Sequence, residues 1–333
     1  MRAASGSARL AQLGDAAGAI AFVFPGQGSQ HPGMVRTLHR CSPSTRTLVD
    51  RAERATGVAL TELMTSGDAD ALADPRIAQL AVFVTSTALL EELRLRGWRP
   101  AVVAGHSLGE YSALAAAGVV DWDDALRLVD ARGTAMAAAA ATRPGAMAAV
   151  AGLDITRLEG LCRLASHYGE HVSIANINSG SQLVISGSEI AVTRVIDAAR
   201  VAGALRACRL PVGGAYHSPL MQPAADLLRG VLREIDMRRP MIPFVSSATG
   251  DLVDDPEEHR KVLMEQVLLP VEWKRTVERL VALGVEHVAE VGPGHVLTGL
   301  CRDNARAVNR VHAEDLLTLP TLVPTLTAVG DRV

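Results

Sequence analysis

Hydrophobic positions along this chain follow two rhythms. Short strand-like segments of four to eight residues, some continuously apolar and others interrupted by polar positions, predict strands at 19–24, 101–104, 146–152, 172–177, 182–186, 205–212, near 242–248 and at 287–291. Between them, apolar residues recurring at three- and four-residue spacing predict helices at about 45–56, 77–96, 122–140, 155–167, 189–202, 219–235, 256–268 and 271–284, with a short one from about 295. Asp121 is placed to cap the helix at 122, and Ser218-Pro219 suits an N-cap and N1 pair.

The order of these elements predicts an α/β fold. From 142 to 212 the succession is β-α-β-β-α-β, with the turn Asn178-Ser179-Gly180-Ser181 between the middle strands. That is the ferredoxin-like arrangement, and it interrupts an α/β pattern that resumes afterwards, so it reads as an insertion. The expected organisation is a large subdomain from 19–141 and 213–305 and a small one at 142–212. Residues 1–18, rich in Ala, Gly and Ser, read as a disordered leader without the apolar core of a signal peptide. The tail at 306–333 shows no clear period.

Composition narrows the function. An apolar fraction of 48% over 333 residues is enough for a sizeable core, and a net charge of −3 lacks the basic excess of a nucleic-acid binder. No apolar run approaches the roughly 18 residues that span a membrane. Cys41, Cys162, Cys208 and Cys301 are widely spaced, with no Cys/His cluster. They read as thiols of a reducing cytoplasm, with neither metal nor disulfide.

The pentad Gly105-His106-Ser107-Leu108-Gly109 follows the apolar run at 101–104 and opens an Ala-rich stretch. A strand entering a helix through Gly-x-Ser-x-Gly is a nucleophile elbow, in which small residues permit a sharp turn that lifts the serine Oγ to the helix N-terminus. The helix dipole there favours the negative charge that develops in acyl transfer. The competing reading is a glycine-rich turn with a passive serine.

A serine nucleophile needs a base. His106 lies inside the elbow, where its side chain would point away from Ser107, so a positioning role is expected of it. His217, in Gly213-Gly214-Ala215-Tyr216-His217-Ser218-Pro219, sits where a flexible loop meets a helix start and is the candidate base; a plain capping histidine is the alternative. Arg132 shares a helix face with Ala125, Leu128, Val129 and Met136. A guanidinium on an apolar stripe requires a carboxylate, which either another protein element or a substrate supplies. In the loop Pro25-Gly26-Gln27-Gly28-Ser29, the Gln27 backbone N–H is placed to form an oxyanion hole with that of Leu108, unless the loop is an ordinary strand-end turn.

Taken together, the segments Phe22–Gln30, Gly105–Leu114, Ala131-Arg132-Gly133, His217–Met221 and Glu290–Gly294 closely resemble the malonyl-CoA:acyl carrier protein transacylases and the acyltransferase domains of polyketide synthases, over roughly residues 20–303. The resemblance implies an α/β-hydrolase-like core with an inserted ferredoxin-like subdomain. It implies Ser107 as the acylated nucleophile, His217 as the base, Gln27 and Leu108 as oxyanion donors, and Arg132 as the grip on the malonyl carboxylate. Gln266 matches the residue whose carbonyl orients the histidine, and Met136 and Asn178 match positions lining the acyl pocket. Tyr216 stands where a Phe accompanies malonyl in the polyketide branch; an aromatic ring still restricts space beside the α-carbon, while its hydroxyl admits a polar extender.

The activity so implied is transfer of a malonyl or related group from CoA to the phosphopantetheine thiol of an acyl carrier protein, in fatty acid or polyketide biosynthesis. No tightly bound cofactor, metal, nucleic acid or membrane is implied, and the expected form is a cytoplasmic monomer. Two rivals remain: an editing hydrolase acting on acyl carrier proteins, and a non-catalytic docking module. A buried Arg132 speaks against the first, and the four residues Ser107, His217, Gln27 and Arg132 together speak against the second.

Overall fold

The computed structural model describes residues 19–167 and 169–314. The chain order is β1 (Ile20–Phe24), α1 (Arg36–Cys41), α2 (Pro43–Thr56), α3 (Leu60–Thr65), α4 (Pro75–Leu95), β2 (Val102–Gly105), α5 (Gly109–Ala117) and α6 (Trp122–Thr142). Then come β3 (Ala146–Ala151), α7 (Ile155–Ala165), β4 (Val172–Ile177), β5 (Gln182–Gly187), α8 (Glu189–Val201) and β6 (Arg206–Arg209). The chain returns through α9 (Gln222–Glu234), β7 (Phe244–Ser246), β8 (Asp251–Leu252), α10 (Pro256–Glu265), α11 (Trp273–Ala282), β9 (His287–Val291), α12 (Val296–Asn304) and β10 (Asn309–Ala313).

These elements form two sheets. The larger runs β10-β9-β1-β2-β7-β8 and is parallel except for β8. The smaller, antiparallel sheet runs β4-β5-β3-β6. The architecture is therefore an α/β-hydrolase-like unit with a smaller ferredoxin-like subdomain.

The apolar runs at the centre of the large sheet are continuous because both faces are covered. Along β1, Ile20, Phe22 and Phe24 pack into one core with Phe83 of α4 and Leu114 of α5, while Ala21 and Val23 join Trp273, Val277 and Leu280 of α11 on the other face. The small subdomain has its own core around Leu158, Ile185, Val192 and Val195.

Several boundaries differ from expectation, each for a local reason. The strand expected at 205–212 is shorter because pairing ends with the Leu210 amide on Met147 O, ahead of Pro211, which has no N–H. Asp121 does not cap α6; its carboxylate pairs with Arg238 at 3.0 Å instead. Ser218 caps a 3-10 turn, Pro219–Met221, that precedes α9. The helix expected at 256–268 stops at Glu265, and the one expected from 271 starts at Trp273, because Val271 pairs with β4. β8 and β10 were not predicted; β10 lies in the tail without a period. The leader at 1–18, and the tail from 315, lie outside the described residues.

The turn from β2 into α5 is closed by backbone contact. A Cβ on Gly105 would lie 2.0 Å from the carbonyl carbon of Gly109, and one on Gly109 would lie 2.0 Å from Phe24 O. With hydrogen in both places, the helix start sits directly on the end of β1, where the His106 amide donates to Phe24 O at 3.0 Å.

Gly109→Ala should therefore lower stability by at least about 3 kcal/mol, beyond ordinary overpacking because backbone rather than a side chain must yield. Gly299→Ala, inside α12 with nothing within 4 Å of the new methyl, should raise it by about 0.5–1 kcal/mol. Urea unfolding of both variants measures the contrast, and similar values for the two would contradict the backbone contact.

Candidate active site

Ser107 and His217 are the two non-glycine residues with positive φ among the described residues, at 52° and 57°. This left-handed conformation is uncommon outside glycine, and it aims each side chain at the other. Ser107 Oγ lies 2.7 Å from His217 Nε2. The tautomer follows from the other ring nitrogen: His217 Nδ1 lies 3.0 Å from Gln266 O and 3.0 Å from Leu269 O, and carbonyls only accept. Nδ1 therefore carries the proton and Nε2 accepts from the serine hydroxyl. The second carbonyl, Leu269 O, was not expected from the sequence. It is available because α10 ends at Glu265 and the following turn shows its carbonyls to the histidine.

Burial pushes the His217 pKa down to about 3, aided by the nearby charge of Arg132 and by His106. The imidazole is thus neutral at pH 7, with the Nε2 lone pair directed at the Ser107 hydroxyl.

Arg132, on α6, is 1% exposed. Its Nη2 donates to Ser107 Oγ at 3.0 Å and lies 3.4 Å from Gln266 Oε1, while Nη1 donates to Gln79 Oε1 at 2.7 Å. Its guanidinium lies over the Tyr111 ring at 5.6 Å, and Nε has no partner. Among the described residues no carboxylate forms an ion pair with it, so the protein-borne partner considered from the sequence is not there. Burial lowers the Arg132 pKa, against the opposing effects of Tyr111 and Glu110.

Ser107, His217, Arg132, Gln27, Met136 and Tyr216 line one cavity of about 110 Å³, which Met147 and Leu210 close on the side of the small subdomain. Leu108 is fully buried at the start of α5 and is not among the residues that line this cavity. Asn178 is not in that cavity. It lines an adjoining one of about 220 Å³ that shares Gln27 and His106 with the first. There Asn178 Oδ1 meets His106 Nε2 at 3.1 Å, so His106 is tied across the cleft rather than to Ser107.

Sequence reasoning missed three neighbours. Gln79 bridges Arg132 to Gln27, whose Oε1 accepts from Gln79 Nε2 at 3.3 Å. Ser247 Oγ accepts from the Ser107 amide at 3.3 Å. Glu110, fully buried, takes hydrogen bonds from the Ser247 amide and Gln266 Nε2. A buried polar residue on the apolar helix of Gln79, and the acid that follows the pentad, were the available signals. Among the described residues, no cluster of His, Cys, Asp or Glu is arranged to hold a metal, and no helix is long and apolar enough to cross a membrane.

Comparison with known proteins gives a consistent picture. The family model described as acyl transferase domain matches residues 21–329. The malonyl CoA-acyl carrier protein transacylase of Bacillus subtilis is 38% identical over 94% of this chain and 99% of its own length. That of Escherichia coli K12 is 43% identical over 85% of this chain and 92% of its own. The transacylase structure from Coxiella burnetii superposes with a TM-score of 0.90 at 34% identity, covering 94% of this chain and 99% of that one. A malonyl-transacylase solved in complex with its type II polyketide synthase acyl-carrier protein gives 0.89 at 37% identity, covering 92% and 99%.

The buried histidine has a consequence for acid stability. In the unfolded chain His217 takes up a proton near pH 6.5, whereas in the folded protein it resists protonation until about pH 3. The unfolded state therefore binds the extra proton between these values, and stability falls as pH drops through that window by up to about 1.4 kcal/mol per pH unit. His106, His171 and His259 are shifted in the same direction. His217→Gln should accordingly flatten the wild-type slope below pH 6.5 by one histidine's share. Parallel stability-versus-pH curves from urea titrations would mean that His217 is not held neutral.

Proposed function

The chain belongs to the acyl transferase family of the malonyl-CoA:acyl carrier protein transacylases, and on that premise we propose that it moves a malonyl group from CoA to the phosphopantetheine thiol of an acyl carrier protein through an ester on Ser107. The observation that carries this reading is the Arg132 guanidinium, buried without a protein carboxylate and 3.0 Å from Ser107 Oγ. A planar fork at that place suits a bidentate carboxylate, which a malonyl group brings and a simple monoacyl group does not.

The reaction then proceeds in two matched halves. His217 Nε2 takes the proton as Ser107 Oγ attacks the thioester carbonyl. The oxyanion is met by the backbone N–H groups of Gln27 and Leu108, beside the positive end of α5. The tetrahedral centre collapses, the C–S bond breaks, and the CoA sulfur leaves with the proton from His217. In the second half the carrier thiol gives its proton to His217 as its sulfur attacks the malonyl ester, the C–O bond to Ser107 breaks, and Ser107 Oγ takes the proton back from His217. The carbonyls of Gln266 and Leu269 hold the imidazole throughout, taking the place of a triad acid. Met136 and Tyr216 bound the acyl space, with the Tyr216 ring limiting substitution at the α-carbon; Asn178 acts from the adjoining cavity through His106. Free thioester substrates and four unpaired cysteines fit a cytoplasmic setting.

Ser107→Ala should abolish the covalent malonyl adduct seen by intact mass after mixing with malonyl-CoA. An undiminished adduct on the alanine protein would place the nucleophile elsewhere.

Arg132→Ala separates a transferase for dicarboxylic acyl groups from a general acyl hydrolase. Losing one partner of a buried ion pair costs about 3–5 kcal/mol, so malonyl loading should fall by on the order of a hundredfold or more. Acetyl loading, with no carboxylate to bind, should hold or rise. The ratio of the two loading rates on Ser107 is the measurement, and an unchanged ratio would remove Arg132 from substrate recognition.

A further inference from the structure

Glu110 has no part in the chemistry above, yet it is a fully buried acid close to the reacting groups. Burial pushes its carboxyl pKa up, and hydrogen bonds from the Ser246 hydroxyl, Gln266, and the Ser247 and Ala248 amides oppose that shift. Gln266 Nε2 and the backbone amides can only donate, while the Ser246 hydroxyl can donate or accept, so the fixed members of the set favour the carboxylate and oppose the effect of burial.

The Gln266 side chain connects this acid to Arg132. Its Nε2 donates to Ser107 O at 3.0 Å and to Glu110 Oε2. Both are acceptors, which fixes the amide orientation and turns Oε1 toward Arg132 Nη2 at 3.4 Å. Gln266 therefore does two separate things. Its backbone carbonyl holds His217, while its side-chain amide lies between a buried negative charge and a buried positive one.

We propose that Glu110 is a positioning residue, the counter-charge of Arg132 held one amide away, and that it limits how tightly the active site grips an acyl carboxylate. This rests on the reading of Arg132 as the carboxylate grip. A carboxylate in direct contact would satisfy the guanidinium and occupy its fork. With Gln266 interposed, the fork keeps its geometry for an incoming acid and the charge is still offset. The arrangement also sets a ceiling on affinity, because Glu110 and the substrate carboxylate repel one another through the same arginine. An enzyme that must release its malonyl group to a second thiol needs such a ceiling, since an unopposed guanidinium would hold the product.

The test is malonyl-CoA and acetyl-CoA binding to full-length Ser107→Ala protein, with and without Glu110→Gln, together with steady-state transfer by the single Glu110→Gln enzyme. Removing the charge should tighten malonyl-CoA binding several-fold, on the order of tenfold for a unit charge at this range, and leave acetyl-CoA binding unchanged. In the active enzyme both KM and kcat for malonyl-CoA should fall together. Glu110→Asp, which keeps the charge, should retain the wild-type values. Weaker malonyl-CoA binding, or equal changes for both thioesters, would overturn the proposal and leave Glu110 as a structural hydrogen-bond acceptor. Adding Arg132→Ala distinguishes the two readings. If Arg132→Ala destroys the malonyl preference while Glu110→Gln does not tighten binding, only the counter-charge fails; if Arg132→Ala leaves the preference intact, the carboxylate grip itself fails. Should Glu110→Gln not fold, the double variant Arg132→Met/Glu110→Gln decides. A charge pair predicts that removing both restores folding, and a double variant that stays unfolded overturns the pairing.

Discussion

A positive charge sealed from water without an acid against it is the constraint around which this active site is organised. Desolvating a guanidinium is costly, and the protein meets that cost with amide oxygens, an aromatic face and a carboxylate at one remove. Gln79, Gln266 and Tyr111 each meet Arg132, and Glu110 reaches it through the Gln266 side chain. The same charge helps keep His217 unprotonated. One buried charge thus reaches both the Ser107 hydroxyl and the His217 imidazole.

The backbone contributes the second requirement. Ser107 and His217 are both left-handed residues, in turns that the surrounding fold closes tightly. At the elbow the closure is visible as backbone lying against backbone, from Gly105 to Gly109 and from Gly109 to Phe24. At His217 the strained residue is followed at once by Ser218, whose hydroxyl donates to Ala215 O at 2.6 Å and so locks the loop across the histidine. Conformational strain of this kind persists only where the neighbouring structure over-determines the geometry.

Much of the fold was legible because its signals are local. The continuous apolar run of β1 and the β-α-β-β-α-β succession need only a short window to read. The elements that were misplaced depend on distant partners. Val271 is extended because β4 pairs with it, Asp121 turns to Arg238 instead of its own helix, and β10 exists because β9 offers it an edge. The site divides in the same way. Ser107 and His217 announce themselves through the glycines and the loop that surround them. Gln79, Ser247 and Leu269 O carry no motif, since they matter only through what folding brings beside them. Asn178, expected beside the acyl group, lines the cavity adjoining that of Ser107 and meets His106 there, a detail that spacing along a chain does not resolve.

The segment between α10 and α11 holds more than the histidine. Within six residues, Gln266 and Leu269 turn their carbonyls to His217, and Val271 exchanges hydrogen bonds with both neighbours of Asn176 on the small sheet, at 2.8 Å in each direction. The small sheet roofs the cleft, so the piece of chain that orients the His217 ring is also the clasp that fastens the roof. Tilting that roof to admit a bulky thioester arm would pull on the same clasp, and the imidazole would register the movement. Cleft width and the hold on the imidazole would in this way depend on one short stretch of backbone.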